Sequence, residues 1–214
     1  MAVIVKILSC KHSEQALDLI SSEFSCYSVL HSSQHILPVE YRNYLKSDWH
    51  GYAFGKENIS LVALDEKSGS VEGCLIAIPF YHEQPDIKSL PEKHQPIASL
   101  LYSLEKLYTI AADCSVSDVL LVDLAVVRYE SRRCGIYSQM RNEIHRMAKE
   151  RGYQVVVGAL SSAETQSFCI DRMQHKLIAQ IPYASFTFEN KFPFASIQHP
   201  ESIALVEYCL DELE

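Results

Sequence analysis

The sequence predicts a mixed α/β fold, with a central sheet of six to seven strands and helices on both faces of it. Two observations support this prediction. Strand-like and helix-like segments follow one another in a mixed order that contains both a hairpin and strand–helix–strand units. Residues 119–127 and 154–160 are almost continuously apolar, which is typical of strands covered on both faces. The length of 214 residues is that of one domain, so we treat 1–214 as a single domain.

The first half of the chain predicts a strand, two helices and a hairpin. Residues 2–8 are rich in Val and Ile and alternate, which indicates a strand. Helices are predicted over 13–24 and over 38–45, the second with Pro38 in its first turn. Residues 59–65 and 71–80 read as two strands of a hairpin, because a Gly- and Ser-containing turn joins them.

The sequence of the second half of the chain predicts three helices and four strands. Apolar residues recur at helical spacing between Ile97 and Ala111, and again from Ile136 to Met147 in a helix that Gly152 ends. A third helix is predicted from a cap at Ser161-Ser162 to Gln174. The strands are expected at the following residues: 119–127, 154–160, 177–188 and 203–210.

Composition excludes several classes of protein. Apolar residues make up 48% and charged residues 21%, as in folded globular domains, and no stretch is long and apolar enough to span a membrane. No basic leader precedes an apolar run at the start, so we expect a cytoplasmic protein. The seven cysteines form no Cys-x-x-Cys pair, which disfavours zinc sites and a disulfide framework, and we predict no metal. A net charge of −8 disfavours nucleic-acid binding.

Charge is unevenly distributed along this acidic chain. Residues 128–151 hold six of the eight arginines and one lysine against three glutamates, a net of +4, so the remainder carries −12. A solvated helix with a basic face is the common explanation of such a segment. A local anion site on an otherwise acidic protein is the alternative.

The junction between the strand at 119–127 and the following helix favours the anion site. The first turn of a helix exposes unpaired N–H groups and the positive end of the helix dipole. Gly135 lets the backbone approach a bulky anion closely, and Arg132 and Arg133 add positive charge. The nucleotide loops Gly-x-x-x-x-Gly-Lys-Ser/Thr and Gly-x-Gly-x-x-Gly are both absent, so the predicted ligand is a pyrophosphate held in another way.

Two neighbouring segments resemble features of one protein family. The loop reads Arg132-Arg133-Cys134-Gly135-Ile136-Tyr137, and it is similar to the Gln/Arg-x-x-Gly-x-Gly/Ala signature of the GNAT superfamily of N-acetyltransferases. The strand before it reads Leu124-Ala125-Val126-Val127, and it is similar to the motif strand of the same superfamily. The resemblance implies a GNAT fold and acetyl-CoA as co-substrate. It implies that a backbone N–H of Val126 or Val127 polarises the thioester carbonyl. The cofactor-binding residues that it implies around the pyrophosphate are Arg132, Arg133, Cys134, Gly135, Ile136, Tyr137 and Ser138.

Residues 170–183 resemble the arylalkylamine N-acyltransferase branch of that superfamily, which often reads Phe-Glu-Lys-Leu-Gly-Phe and then Ile-Pro-Tyr. Here Ile181-Pro182-Tyr183 matches, whereas Gln174-His175 replaces Gly-Phe and Ile170 stands where many relatives have a tyrosine. The acidic Asp-Glu-Pro-Leu segment of the branch has no counterpart. The resemblance implies transfer to a primary amine, with a small arylalkylamine or a polyamine-like molecule as the first expectation.

Two side chains are candidates for catalysis. Asp123 is a lone carboxylate in an apolar strand, where burial favours accepting a proton, or it is a structural residue at a sheet bulge. Tyr183 is a candidate acid for the departing thiolate, or an aromatic packing residue. A nucleophilic Cys134 and a metal pair of His31 and His35 are weaker alternatives.

Several aromatic residues occur early in the chain and predict either an acceptor pocket or the core between two helices. They are Phe24, Tyr27, Tyr41, Tyr44, Trp49, Tyr52 and Phe54. We therefore expect an acyltransferase that binds an acyl-CoA and a small amine together and transfers the acyl group directly between them. It is expected to be a monomer or homodimer. A protein lysine or N-terminal acetyltransferase and a non-catalytic acyl-CoA sensor remain the alternatives.

Overall fold

The computed structural model describes residues 2–55, 57–81, 84–112 and 115–212. Among the helices of these ranges, none has the length and apolarity that crossing a membrane requires. The strands are β1 (Val3–Ile7), β2 (Leu61–Asp65), β3 (Val71–Pro79), β4 (Val119–Val127), β5 (Val155–Leu160), β6 (Lys176–Pro182) and β7 (Ser202–Cys209). The α-helices are α1 (Ser13–Tyr27), α2 (Val29–Ser33), α3 (Pro38–Lys46), α4 (Trp49–Phe54), α5 (Gln95–Ala111), α6 (Ile136–Glu150) and α7 (Ala163–Ser167).

The seven strands form one mixed sheet in the order β1-β2-β3-β4-β5-β7-β6. Only β4 and β5 pair in parallel, and α6 crosses between them, as strand–helix–strand units require. All other neighbours are antiparallel. This architecture confirms the predicted mixed α/β fold with six to seven strands.

Helices cover both faces of the sheet. On one face, α1 and α5 pack through residues such as Leu17 and Leu104. On the other face, α6 packs through Met140 and Ile144 against β2, β3 and β4. The almost continuous apolar character of β4 and β5 is explained by this double coverage.

The two parallel strands separate after a short paired region. Pairing between β4 and β5 runs from Val119↔Val155 to Val122↔Gly158 and then stops. Beyond this point β4 pairs only with β3, and β5 pairs only with β7. A wedge therefore opens between the carboxyl ends of β4 and β5, at the centre of the sheet.

The structure corrects two predicted elements near the C-terminus. The α-helix that was expected to reach Gln174 ends at Ser167, and one π-helical turn, Phe168–Arg172, follows it. Gln174 itself has a φ of 57°, which a right-handed helix does not accommodate. The strand expected over 177–188 stops at Pro182 and turns at Tyr183–Ser185. The short helices α2 and α4 were not predicted, because neither has two full turns of periodic sequence.

Candidate active site

Asp123 lies at a bulge where the wedge opens. Ile76 of β3 pairs with Leu124, whereas the next residue, Ala77, pairs with Val122, so Asp123 is the extra residue of β4. The strand is buried up to Val122 and partly exposed from Asp123 to Ala125. The bulge therefore places a half-buried carboxylate beside the point where β4 leaves β5.

The carboxylate of Asp123 lies among tyrosines of α3 and α4. The hydroxyl of Tyr52 donates a hydrogen bond to its Oδ2. Burial, and then the nearby negative charge of Asp123, raises the pKa of Tyr52 well above its ordinary value and raises that of Tyr44 as well. Both hydroxyls thus stay protonated at neutral pH. The bulge and the hydrogen bond from Tyr52 fit the structural interpretation of Asp123, and its catalytic role stays a prediction.

The backbone of β4 presents Val127, rather than Val126, to the wedge. The N–H of Arg128 donates to the carbonyl of Glu72 in β3 (2.9 Å). Because successive N–H groups of a strand point to opposite sides, the N–H of Val127 points away from β3 and that of Val126 points toward it. The carbonyl of Val127 is on the same open side and accepts from Nε of Arg132 (3.3 Å). Of the two predicted amides, only that of Val127 is directed away from β3, to the open side of β4.

The loop between β4 and α6 is anchored through its first half by two buried glutamates. Glu72 of β3 accepts from Ser131 Oγ (2.6 Å) and pairs with Arg128 (3.2 Å). Glu23 of α1 accepts from the backbone N–H of Tyr129 (3.0 Å). These contacts fix the position from which the second half of the loop enters α6.

The second half of the loop is exposed and has an unusual backbone. Arg133 (φ 62°) and Gly135 (φ 77°) both have left-handed conformations, and only the glycine adopts this without strain. The first hydrogen bond of α6 runs from the N–H of Gln139 to the carbonyl of Gly135 (3.0 Å). The N–H groups of Ile136, Tyr137 and Ser138 precede that bond, and no described side chain caps them. The predicted anion-binding amides are thus available in the structure.

The Arg132 side chain is already engaged by the protein. Its Nη2 pairs with Oε2 of Glu23 (2.8 Å). Its guanidinium carbon lies 4.7 Å from the ring centroid of Tyr27 and 5.1 Å from that of Tyr129, and these two rings stack on each other. Arg132 therefore fixes the loop against α1, whereas Arg133, which is exposed as Arg132 is, forms no ion pair with a described carboxylate.

Tyr137 fills the space between α6 and the π-helical turn Phe168–Arg172. Its ring meets that of Phe168 edge-on, with centroids 5.4 Å apart, and its hydroxyl lies 3.5 Å from Sγ of Cys169. The family signature has Gly or Ala at this position. The side chain of Tyr137 consequently occupies space beside the first turn of α6 that a small residue would leave open.

Tyr183 lies beyond the end of β5. Its side chain is fully buried, packs edge-on against Phe194 and donates a hydrogen bond to the carbonyl of Ser161 (3.3 Å). Burial raises the pKa of Tyr183, so the hydroxyl keeps its proton at neutral pH. An acid role would require the hydroxyl to exchange this partner for the departing sulfur.

The remaining candidates separate in space. His31 is buried between Tyr41 and Phe24 and contacts Ser28 Oγ (3.1 Å), so its pair with His35 is not a ligand set. In the described part of the chain, no group of three or more His, Cys, Asp or Glu side chains is arranged to hold a metal. Cys134 is an exposed free thiol.

The early aromatic residues divide between core and site. Tyr41 and Trp49 are buried in the core under α1. Tyr52 and Tyr44 approach Asp123, and Tyr27 joins the loop after β4. Burial and then the charge of Asp123 raise the pKa of Tyr41 as well, so Tyr41, Tyr44 and Tyr52 all lie near Asp123, and an acceptor pocket formed by them stays a prediction.

Half of the arginines in the basic segment 128–151 are paired with glutamates. Arg128, Arg132 and Arg146 pair with glutamates, and Arg141 is completely buried. Arg133, at the left-handed turn, forms no ion pair with a described carboxylate. Its charge thus lies beside the uncapped first turn of α6.

Sequence reasoning missed Glu23, which orients both Tyr129 and Arg132. The signal was present, since Glu23 follows Ala16 and Ile20 on the buried stripe of α1, where a carboxylate requires a partner. Tyr52 was noted only as one of several aromatic residues, because its contact with Asp123 joins positions far apart in the sequence.

The wedge, the bulged strand β4 and the helix α6 that follows it are the features by which the fold is recognised. The chain has the GNAT fold of N-acetyltransferases, as predicted. Neither models of protein families nor curated protein sequences gave a match.

Three solved structures illustrate the likeness. The C-terminal condensation domain of Ebony, solved with beta-alanyl-dopamine, superposes with a TM-score of 0.87 at 14% identity, covering 97% of this chain and 99% of that one. Arylalkylamine N-acetyltransferase 2 from Aedes aegypti gives 0.77 at 15% identity, covering 98% and 100%. Drosophila melanogaster polyamine N-acetyltransferase gives 0.70 at 16% identity, covering 97% and 100%. At these identities the likeness shows the fold.

Proposed function

We propose that the protein is an acyltransferase that moves a short acyl group, acetyl in the first instance, from an acyl-CoA thioester to the primary amine of a small molecule. One observation carries the proposal: the wedge between β4 and β5 opens beside uncapped amides at the start of α6. A pantetheine arm inserted in the wedge would reach Val127, while the diphosphate would meet Gly135, Ile136 and Tyr137.

The residues of the wedge suit direct transfer in a ternary complex. The amine nitrogen attacks the thioester carbon, the new C–N bond forms, and the C–S bond breaks. The N–H of Val127 stabilises the oxyanion that develops on the carbonyl oxygen. The ammonium proton leaves to a base and the thiolate takes a proton, so that the products are an amide and a free thiol.

Asp123 is the carboxylate best placed to receive the amine proton. It borders the wedge, accepts from Tyr52, and provides negative charge for a cationic acceptor in an already acidic protein. Tyr183 is the proposed acid at the far side of the wedge. Holding both substrates in register contributes roughly 7–11 kcal/mol without either group.

The acceptor class follows from the similar structures and the chemistry of the site. Arylalkylamine and polyamine N-acetyltransferases share the fold, and both names describe small primary amines as acceptors. A carboxylate among tyrosines fits an ammonium on an aromatic or alkyl chain. A small arylalkylamine or polyamine-like molecule is therefore the first acceptor to test.

A second candidate donor is a thioester on a pantetheine arm without the nucleotide half of CoA. Two observations favour it: Arg132 is held by Glu23, and Tyr137 fills the space where the signature has a small residue. The condensation domain of Ebony, solved with an amide of dopamine, has the same fold. In this case the wedge would hold the arm, and the amides of α6 would contribute little.

A thiol-release assay tests the proposal. Acetyl-CoA and acetyl-pantetheine are each offered with arylalkylamines, polyamines and lysine peptides. Turnover on small amines with acetyl-CoA supports the proposal, and equal use of the two donors favours the second candidate. Turnover on peptides alone indicates a protein acetyltransferase, and CoA binding without turnover on any acceptor indicates a sensor.

A further inference from the structure

A buried arginine lies next to the closed end of the wedge. Arg141 of α6 has no exposed surface. Its Nη2 lies 3.3 Å from Nδ1 of His175, while its Nε and Nη1 have no hydrogen-bond partner. No described carboxylate pairs with it. A buried guanidinium without an acceptor is strongly unfavourable, because an isolated charge loses its hydration on burial.

The backbone of β5 makes room for this side chain. Gly158 is the last residue of β5 that pairs with β4. A Cβ atom at Gly158 would lie 3.5 Å from Nη1 of Arg141 and 3.5 Å from the carbonyl oxygen of Val122. The guanidinium therefore lies over the position where the two strands part, between α6 and the π-helical turn.

His145, His175 and Tyr137 lie near the guanidinium but supply no negative charge at neutral pH. His145 is 1% exposed and His175 is 3% exposed, and their rings lie 5.2 Å apart. Tyr208 stacks on His145 with centroids 4.4 Å apart. Burial, together with the charge of Arg141, lowers the pKa of His145 to about 2 and that of His175 to about 3, so both rings are neutral at pH 7.

The cluster has donors without acceptors. A guanidinium only donates, so Nδ1 of His175 must accept and its Nε2 must carry the proton. That Nε2 is also buried without a partner. Nε and Nη1 of Arg141 and Nε2 of His175 are thus three donor nitrogens that lack an acceptor, and Nε2 of His145 is likewise buried without a partner.

We propose that Arg141 is the centre of an internal site for one small monovalent anion, of the size of chloride or formate. The anion accepts from Arg141, neutralises the buried charge, and ties α6 to β5 and to the segment that carries His175. This site is separate from the amides at the start of α6 that are assigned to the diphosphate, and it requires no acyl donor.

Thermal unfolding of the full chain tests the site. The protein is first dialysed into the salt of a bulky sulfonate, and chloride or formate is then added at constant ionic strength. At an anion concentration 100 times its Kd, we expect a saturable rise in Tm of roughly 5–10 °C. Arg141→Met should show no rise, and without the anion it should be at least as stable as the wild type, since it removes an unpaired charge.

Arg146→Met is the matched control, because Arg146 lies on the same helix but is exposed and pairs with Glu143. It should respond to anions as the wild type does. The proposal is overturned if the wild type shows no saturable response, or if Arg141→Met responds equally. Should Arg141→Met not fold, 35Cl NMR of the wild type decides: chloride line broadening that formate abolishes supports the site, and its absence overturns it.

Discussion

Gly135→Glu is the substitution that most sharply separates the proposed diphosphate site from an ordinary helix start. Gly135 has a φ of 77°, and a Cβ there would meet only Nε2 of Gln139, at 4.0 Å. The side chain therefore fits, and two effects remain. The left-handed backbone costs about 1–2 kcal/mol, and a carboxylate enters the space assigned to the diphosphate.

The size of the second effect can be estimated from Coulomb's law. A unit charge about 6 Å from a phosphate oxygen, at an effective dielectric constant of 20, is repelled by roughly 3 kcal/mol. The carboxylate also competes for the N–H groups of Ile136 and Tyr137. Together these effects predict acetyl-CoA binding weakened by at least about 100-fold.

Isothermal titration calorimetry with acetyl-CoA measures the change, and Gly152→Glu is the control. Gly152 follows the other end of α6, has a φ of 84°, and has nothing within 4 Å of its Cβ position. Both variants should lose similar thermal stability, whereas only Gly135→Glu should lose affinity. Equal affinity of the two variants for acetyl-CoA would refute the reasoning.

Four further substitutions test the neighbouring features. Asp123→Asn should lower kcat by about 10²–10⁴-fold in the thiol-release assay, with little change in the Kd of the acyl donor. An unchanged kcat would mean that the carboxylate takes no part in proton transfer and serves only the structure of the bulge. Tyr183→Phe should lower kcat more than tenfold if the Tyr183 hydroxyl protonates the thiolate. A free energy of unfolding lowered by about 1 kcal/mol with an unchanged kcat would mean that the hydroxyl only stabilises the fold, through its hydrogen bond to Ser161. Burial lowers the pKa of His31 to about 3 in the native protein. Between pH 6.5 and pH 3 the ring is therefore protonated in the unfolded chain but neutral in the native one, so the contribution of His31 to the free energy of unfolding is lost as the pH falls through this range. His31→Phe should flatten urea-derived stability against pH by up to about 1.4 kcal/mol per pH unit, and an unchanged slope would contradict that pKa. Gly73→Ala places a Cβ 3.0 Å from Ile136 and should lower Tm by roughly 2–4 °C through overpacking, whereas an unchanged Tm would show that α6 has room to move.

The sequence predicted the sheet and its central features because these are local. The apolar runs of β4 and β5 and the stripe of α6 are periodic over many residues, and Gly135 marks the start of the helix. The left-handed φ of Gly135 was not predicted, since the glycine was singled out because it allows close approach of an anion.

The contacts of the site were not predictable because they join distant segments. Glu23 and Arg132 are 109 residues apart, and Tyr52 and Asp123 are 71 apart. A pattern of residue types does not reveal such pairs. The sequence therefore indicated a free Arg132 at the loop, whereas the structure ties it to α1.

The same limit applies to the end of the third predicted helix. Ser162 caps α7 as expected, through the N–H of Thr165 (3.2 Å). The change to a π-helical turn depends on the N–H of Met173, which bonds to the carbonyl of Phe168, and on Cys169, which is buried under Tyr137. Tertiary packing rather than helix propensity determines this end.

A crystal structure of the complex with acetyl-CoA, or with a non-hydrolysable analogue of it, tests the central claim most directly. We expect diphosphate oxygens about 2.7–3.2 Å from the backbone nitrogens of Gly135 to Ser138, and the pantetheine arm between β4 and β5. A diphosphate bound elsewhere, or a wedge that remains closed over the arm, would contradict it.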